Sequence, residues 1–83
     1  MYRVVYDRRI ARDLQPIPKT YRRLILQRIG LLVIEPRRFG VEKLAGMEGY
    51  RMRVGDYRVL LTIDDPARLV SVYRILHRRE AYR

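Results

Sequence analysis

Arginine is concentrated in the short stretch YRMRVGDYR, residues 50–58. If the Gly-Asp pair inside it forms a two-residue hairpin turn, Arg53 and Arg58 lie directly opposite each other on antiparallel strands, and Arg51 shares their face. Like charges in such positions destabilise a sheet, although in water each pair costs only on the order of 1 kcal/mol or less. A phosphate that enters between them accepts a charge-assisted hydrogen bond from each cation. The stretch therefore predicts a phosphate-binding surface.

A second group of polar side chains lies in the final segment ILHRREAYR, residues 75–83. His77 is the only histidine, and it is followed by Arg78, Arg79 and Tyr82. Histidine is the side chain that most readily gains or loses a proton near neutral pH, and tyrosine can stack on a base or relay a proton. A lone histidine at a strand end is more often structural than catalytic. The segment is therefore a candidate for proton transfer only in combination with the arginines.

Most other reaction chemistries lack the residues that they need. The chain has no cysteine, which excludes a disulfide framework and a thiolate metal site. One histidine and scattered carboxylates do not have the spacing of a metal site, and Ser71 lies within a predicted strand without a base–acid pair nearby. The glycines fit turns better than a phosphate-binding loop. We therefore expect no metal ion and no cofactor.

The net charge of +10, from 19 Lys plus Arg against 9 Asp plus Glu, favours a polyanionic partner, either nucleic acid or an acidic protein. Only Lys19 and Lys43 are lysines, which leaves 17 arginines. The planar guanidinium binds phosphate through two parallel hydrogen bonds and stacks on bases. The alternative is that the charge only aids solubility.

The length of 83 residues corresponds to one small domain, residues 1–83, with room for a modest core and a shallow site. The start of the chain has neither the apolar stretch nor the cleavage site of a signal peptide. No apolar run approaches the roughly 18 residues that a membrane-spanning helix requires. We therefore expect a cytoplasmic protein without a membrane partner.

Six stretches have the periodicity of strands or helices. The predicted strands are 2–6, 50–54, 57–64 and 69–77, and the predicted helices are 8–14 and 18–35. Residues 36–49 contain three glycines and are predicted to form a connecting loop. The end of the second helix, residues 31–34, is apolar on every side, so two surfaces must cover it. These could be the sheet and the first helix, although part of the segment could await a partner.

The predicted hairpin has one apolar and one basic face. Its apolar positions are Tyr50, Met52, Val54, Tyr57, Val59, Leu61 and Ile63, and the opposite positions are Arg51, Arg53, Arg58, Leu60 and Thr62. A slip of one residue would bury the arginines, so the register is well specified. We therefore expect the arginines on an accessible face that has no opposite charge near its centre.

The order β-α-α-β-β-β, the segment EKLAG leading into YRMRVGDYRVLLTID, and the ending HRREAY together resemble the RelE toxins of the RelE/ParE toxin–antitoxin superfamily. The resemblance covers essentially the whole chain. It implies an α+β fold, in which two helices pack on one face of a mostly antiparallel sheet. It also implies a toxin that cleaves messenger RNA in the ribosomal A site and inhibits translation, and that an antitoxin encoded beside it silences.

The resemblance also implies roles for residues. It makes Arg58, Arg78, Tyr82 and His77 candidate catalytic residues and Arg51, Arg53 and Arg79 candidate substrate-binding residues. Arg51 and Arg53 stand where the best-known RelE has lysines. An arginine does not give up its proton, so proton transfer is expected of His77 and Tyr82. The expected reaction is a metal-independent attack by an RNA 2′-OH on the adjacent phosphate.

The implied partners are the ribosome with its messenger RNA and a cognate antitoxin, in a toxin–antitoxin hetero-oligomer. Because the toxin is basic, we expect the antitoxin to present an acidic, amphipathic segment, as a helix in a groove or a strand at a sheet edge. Two alternatives remain open. One is a ParE-like, non-catalytic poison of DNA gyrase, and the other is a basic module that only binds RNA or the ribosome.

Overall fold

The structure is a computed structural model that describes residues 1–81. It contains one five-stranded sheet and three helices. In chain order the elements are β1 (Arg3–Tyr6), α1 (Arg9–Leu14), α2 (Lys19–Leu31), β2 (Val41–Lys43), β3 (Tyr50–Val54), β4 (Tyr57–Asp64), β5 (Leu69–His77) and α3 (Arg78–Ala81). The sheet order is β1-β5-β4-β3-β2. Strand β1 is parallel to β5, and the other neighbours are antiparallel. The predicted α+β fold is confirmed.

The sequence prediction missed strand β2, which lies within the stretch that we expected to be a loop. Its residues Val41 and Lys43 pair with Met52 and Tyr50 of β3. Three residues are too few to show an alternating pattern, and both Glu42 and Lys43 are exposed. The strand extends the sheet beyond the arginine-bearing hairpin and brings an acidic residue beside it.

Helix α2 ends at Leu31 and not near residue 35 as predicted. After Leu31 the backbone hydrogen bonds tighten to i−3 spacing, as from the Val33 N–H to the Gly30 carbonyl at 3.3 Å. The Val33 carbonyl accepts a hydrogen bond from the Tyr2 N–H at 2.8 Å, which ties the turn to the start of the chain. Of the apolar residues that follow, Leu32 is fully buried, whereas Ile34 remains 70% exposed. The core therefore covers only one side of this apolar segment.

The core lies between the two longer helices and one face of the sheet. It consists of Ile10, Ile17, Ile25, Ile29, Leu32, Met52, Val54, Val59, Leu61, Val70, Val72 and Ile75. The predicted inward face of the hairpin is confirmed, because its Met and Val residues and Leu61 are buried while Tyr50, Tyr57 and Ile63 pack against them. Alternation specified the register correctly.

A β-bulge changes the phase of β5 halfway along. Leu60 pairs with Arg74 and Leu61 with Val72, so Tyr73 is the extra residue. After the bulge, the side chains of β5 again alternate between the two faces of the sheet up to the end of the strand, next to the hairpin turn.

Beyond Val72, β5 has no strand partner on its β1 side. The Asp13 carboxylate of α1 takes that place, because its Oδ2 accepts hydrogen bonds from the Ile75 N–H and from Arg74 Nε, both at 2.9 Å. Helix α1 thus closes part of an otherwise open sheet edge.

At the opposite end of β5, Asp65 in the β4–β5 turn is held by two donors. Arg37 contacts both carboxylate oxygens, at 3.0 and 2.8 Å, and the Tyr2 hydroxyl donates to Oδ1 at 2.6 Å. These hydrogen bonds, first from Arg37 and then from Tyr2, lower the pKa of Asp65 from 3.8 to about 2. The contact joins the turn to the start of β1 and to the loop after α2.

Because the folded-state pKa of Asp65 lies below its ordinary value, its contribution to stability is complete above about pH 4 and disappears as the pH falls toward 2. We expect Asp65→Asn to lower the melting temperature at pH 7 and to differ little from the parent protein near pH 2. Thermal unfolding at several pH values tests this, with Glu48→Gln as an exposed control. A difference between Asp65→Asn and the parent that stays constant over this range would contradict the assignment.

Candidate phosphate-binding site

Arg53 and Arg58 are directly paired across β3 and β4, as predicted. Gly55 and Asp56 form the turn between the strands, and Gly55 has the positive φ of +57° that such a turn requires. The side chain of Arg53 is exposed on the sheet face away from the helices. The hairpin therefore places two guanidinium groups at one end of the sheet.

The expectation that Arg58 lies open to solvent is wrong, because the residue is only 6% exposed. Its Nη1 donates to the carbonyl oxygens of Gly55 and Tyr57, both at 2.9 Å. The guanidinium thus folds over its own turn, where two carbonyl dipoles stabilise its charge. Arg58 is consequently a partly immobilised cation and also a structural contact of the turn.

The expectation that the basic face has no opposite charge is also wrong. The strand that the sequence prediction missed places Glu42 directly opposite Arg51, whose Nη2 lies 3.3 Å from Glu42 Oε2. The Glu42 side chain is 57% exposed, so the pair remains in contact with solvent. An exposed pair of this kind contributes only about 0–1 kcal/mol, and a phosphate can replace the carboxylate at little cost.

Arg78 is fastened to the same turn from the end of β5. Its N–H donates to the Asp56 carbonyl at 2.7 Å, and its Nε lies 3.8 Å from Asp56 Oδ1. Arg79 follows and is exposed. The structure therefore gathers Arg53, Arg58 and Arg78 around one turn. We call these three residues the arginine cluster.

His77 lies on the other face of the sheet. It is paired with Tyr57, whose ring it meets edge-on at 5.5 Å, whereas Arg58 is paired with Leu76. Side chains of successive strand residues leave the sheet on opposite faces, so the sheet separates His77 from Arg58. His77 Nδ1 accepts a hydrogen bond from the Arg79 N–H at 3.3 Å. Tyr82, the remaining candidate, lies outside the described residues.

The cluster can bind and stabilise a multiply charged oxyanion. Two of its guanidinium groups, those of Arg53 and Arg58, come from strands that flank a tight turn, and rigid elements of this kind fix donor positions better than a loop does. Among residues 1–81, no group of three or more His, Cys, Asp or Glu is placed to hold a metal ion. The arginine side chains gathered at this turn support charge stabilisation of an anion.

Sequence reasoning missed a groove of about 750 Å³ between α1 and α2. It is lined by Ala11, Arg12, Leu14, Gln15, Lys19, Arg22, Arg23 and Leu26. Leu26, which lines the groove and is 42% exposed, was the available signal, because it interrupts the polar side of α2. Arg22 Nε is buried, and no acceptor within residues 1–81 reaches it.

None of the described helices is long and apolar enough to span a membrane.

Comparison with known proteins gives consistent matches over nearly the whole chain. A family model described as "ParE toxin of type II toxin-antitoxin system, parDE" matches residues 2–82. The chain is 34% identical to a protein named Toxin RelE from Mycobacterium tuberculosis, over 99% of this chain and 87% of that protein.

Two solved complexes contain chains with the same fold. The archaeal RelE–RelB complex from Pyrococcus horikoshii matches with a TM-score of 0.82 and 31% identity, over 93% of this chain and 94% of the other. The RelBE2 toxin–antitoxin complex from Mycobacterium tuberculosis matches with a TM-score of 0.82 and 29% identity, over 92% and 96%.

These matches, together with the fold, define a toxin of the type II toxin–antitoxin class. More particularly, the chain belongs to the RelE/ParE toxin family.

Proposed function

We propose that this protein is a ribosome-dependent endoribonuclease that cleaves messenger RNA in the A site and thereby inhibits translation. The observation that carries the proposal is the arginine cluster, because Arg53, Arg58 and Arg78 converge on one turn at the end of the sheet. The similarity of the chain to a protein named Toxin RelE supports the same activity. The decisive test is cleavage of ribosome-bound messenger RNA by Arg58→Ala.

The proposed reaction is an intramolecular transesterification. An RNA 2′-OH loses its proton and attacks the adjacent phosphorus, and the bond to the 5′ oxygen of the next nucleotide breaks as that oxygen gains a proton. The products are a 2′,3′-cyclic phosphate and a free 5′-OH. Charge builds up on the phosphorane, where each well-placed cation contributes about 2–4 kcal/mol. We assign this role to the arginine cluster, with Arg51 and Arg79 holding the neighbouring phosphates.

Proton transfer needs a group other than arginine, because guanidinium does not deprotonate in proteins. Two candidates come from the sequence, His77 and Tyr82. Because His77 lies on the face of the sheet opposite Arg58, we assign the contact with the reacting atoms to Tyr82. So few residues suffice only if the ribosome orients the RNA, since positioning supplies much of the rate enhancement in such reactions.

We expect His77→Gln to lower ribosome-dependent cleavage by less than about tenfold, well below the roughly 10²–10⁴-fold contribution of a general acid or base. Glutamine retains an acceptor for the Arg79 N–H, and the reacting face is on the other side of the sheet. Single-turnover rates on ribosome-bound message between pH 5.5 and 8.5 provide the measurement. Tyr82→Phe is the reference, for which a loss in the full range is expected.

If His77→Gln were as inactive as Tyr82→Phe and lost the acidic limb of the pH–rate profile, His77 would regain the catalytic role. A large loss in both variants without any change in the profile's shape would assign His77 a structural effect on the site.

We further propose that the groove between α1 and α2 receives an acidic, amphipathic helix of the cognate antitoxin. The groove has an apolar floor of Ala11, Leu14 and Leu26, and every charged side chain that lines it is basic. Arg22 lines the groove, and its Nε has no acceptor within residues 1–81, so its guanidinium is available to pair with a carboxylate of the partner. Relatives crystallised with RelB support a partner of this kind.

A ParE-like poison of DNA gyrase is the second candidate, favoured by the description of the matching family model. It requires no reacting site, so the arginine cluster would contribute to binding alone. The two functions differ in their product, because the first leaves cut transcripts and the second leaves broken DNA. A basic module that only binds RNA leaves neither.

A further inference from the structure

The turn of the arginine-bearing hairpin rests directly on an aromatic ring of α2. A Cβ atom added at Gly55 would lie 2.8 Å from Tyr21 Cε1 and 3.2 Å from Tyr21 Oη. A contact of 2.8 Å is shorter than carbon atoms tolerate, so the backbone of the turn and the ring have no space between them. Tyr21 therefore limits how far the turn can move toward the helices.

The same ring begins a row of aromatic side chains under the sheet. Tyr21 packs against Tyr57 with ring centroids 5.3 Å apart and an interplanar angle of 59°. Tyr57 in turn meets His77 at 5.5 Å and 85°. Both geometries are tilted or edge-on, as aromatic pairs prefer. The row joins α2 to β4, which carries Arg58, and to the last residue of β5, which directly precedes Arg78.

The turn is thus held from both sides. Below it lies the Tyr21 ring, and above it the Arg58 guanidinium donates to the carbonyls of Gly55 and Tyr57. Arg78 is anchored to the same turn through the Asp56 carbonyl. A displacement of the turn would therefore move the whole arginine cluster.

We propose that Tyr21 is a positioning residue for the reaction, which it controls by fixing the hairpin turn and with it the arginine cluster. The inference rests on the proposed nuclease function for its catalytic consequence, whereas the fixing of the turn is independent of it. A misplacement of about 1 Å costs on the order of 10²-fold in rate when donors must meet a transition state. Tyr21 itself touches neither the substrate nor the reacting atoms.

The first test measures the turn without RNA or ribosomes. Amide hydrogen exchange of residues 53–58 in the full chain is compared for Tyr21→Leu, Tyr21→Phe and Tyr2→Ala. Tyr2 is the matched control, because it is another half-buried tyrosine packed on the core, next to the far end of β5. We expect Tyr21→Leu to accelerate exchange in this segment by about tenfold or more, and the other two variants to leave it unchanged.

The second test measures the reaction. Under multiple turnover on ribosome-bound message, Tyr21→Leu is expected to lower kcat by about 10²-fold with KM for the programmed ribosome changed less than about threefold. Tyr21→Phe keeps the ring and should restore kcat to near the parent value. Tyr2→Ala should lower the melting temperature comparably without this loss of kcat.

The outcomes separate the two claims. Unchanged exchange in Tyr21→Leu, or equal acceleration in Tyr2→Ala, overturns the role of Tyr21 in fixing the turn, whatever the activity. Accelerated exchange with an undiminished kcat overturns its effect on the reaction. If the parent protein cuts no ribosome-bound message, the nuclease function fails while the exchange result still decides whether Tyr21 holds the turn.

Discussion

Arg58→Ala is expected to reduce ribosome-dependent cleavage of messenger RNA by about 10²–10³-fold, the usual effect of removing one preorganised charge-stabilising donor. The expectation follows from the burial of this side chain and its two hydrogen bonds to the turn, which fix its guanidinium near Arg53 and Arg78 before any substrate arrives. A cation that is already ordered pays little further conformational entropy when it meets the phosphorane. Mapping of transcript ends in a translating extract provides the measurement.

Because Arg58 also supports the turn, its loss could act through the fold. Two further variants separate the effects. Arg58→Lys retains the charge but not the planar set of donors, so it should stay well below the parent in rate. Arg3→Ala removes the same charge from an exposed position of β1 at the far edge of the sheet and should cleave normally. A parent-like melting temperature with lost cleavage in Arg58→Ala assigns the effect to chemistry.

The same variant distinguishes the alternative functions. A gyrase poison would produce no transcript cleavage in the parent protein, and broken DNA would accumulate in cells. A module that only binds RNA would give neither product, and Arg58→Ala would weaken binding and reduce its salt dependence by about one counterion. Retention of full cleavage by a folded Arg58→Ala protein is the result that rules out the proposed role of the cluster.

The arginine cluster shows how much of a site can be predicted from the alternation of apolar and polar residues along a strand. Spacing and turn chemistry correctly placed Arg53 opposite Arg58, because a two-residue turn fixes register and a buried apolar face forbids a slip. Neither could show that Arg58 turns back onto the carbonyl groups of its own turn. Side-chain direction beyond the first bond depends on local acceptors, which a strand pattern does not contain.

The neutralising carboxylates were missed for a different reason. Glu42 reaches Arg51 through a three-residue strand, and Asp56 meets Arg78 only because β5 ends beside the turn. Both contacts depend on strand order, which residue spacing within one segment does not determine. The expectation from the sequence that the arginines only repel one another is consequently too simple, because Arg51 and Arg78 each have an exposed carboxylate beside them.

These carboxylates give the basic face a plausible resting state. Glu42 and Asp56 are both more than half exposed, so their ion pairs are screened by water and contribute little. Under the proposed function, an incoming phosphodiester competes with these carboxylates without having to break a buried network. The contact of Gly55 with Tyr21 does not involve either carboxylate, so it is available to hold the turn while the ion pairs exchange.

The groove between α1 and α2 could not have been found from the hairpin, yet it accounts for basic residues that the cluster does not use. Arg12, Lys19, Arg22 and Arg23 line it and are remote from the turn in sequence. Basic side chains around exposed leucines are typical of a surface for an acidic amphipathic helix. If the antitoxin binds this groove and RNA binds the arginine cluster, as we propose, each function can be mutated without loss of the other.

Arg22→Glu is therefore expected to weaken antitoxin binding while leaving ribosome-dependent cleavage intact. The substitution removes a cation that would face the acidic partner and replaces it with a like charge, and loss of such a charged pair costs about 2–5 kcal/mol, which corresponds to roughly 30-fold to several-thousand-fold in Kd. Binding to the product of the neighbouring gene can be measured by calorimetry, and co-expression should become toxic.

Arg38→Glu reverses the same charge in the exposed loop after α2 and serves as the matched control, for which only a small change in Kd is expected. Leu26→Asp tests the apolar floor independently, and its partial exposure makes unfolding an unconvincing explanation for any loss of binding. If both groove variants bound the antitoxin as tightly as Arg38→Glu, the partner would have to dock elsewhere. The exposed Ile34 beyond α2 would then be the next surface to test, because it is the largest part of that apolar segment that the core leaves uncovered.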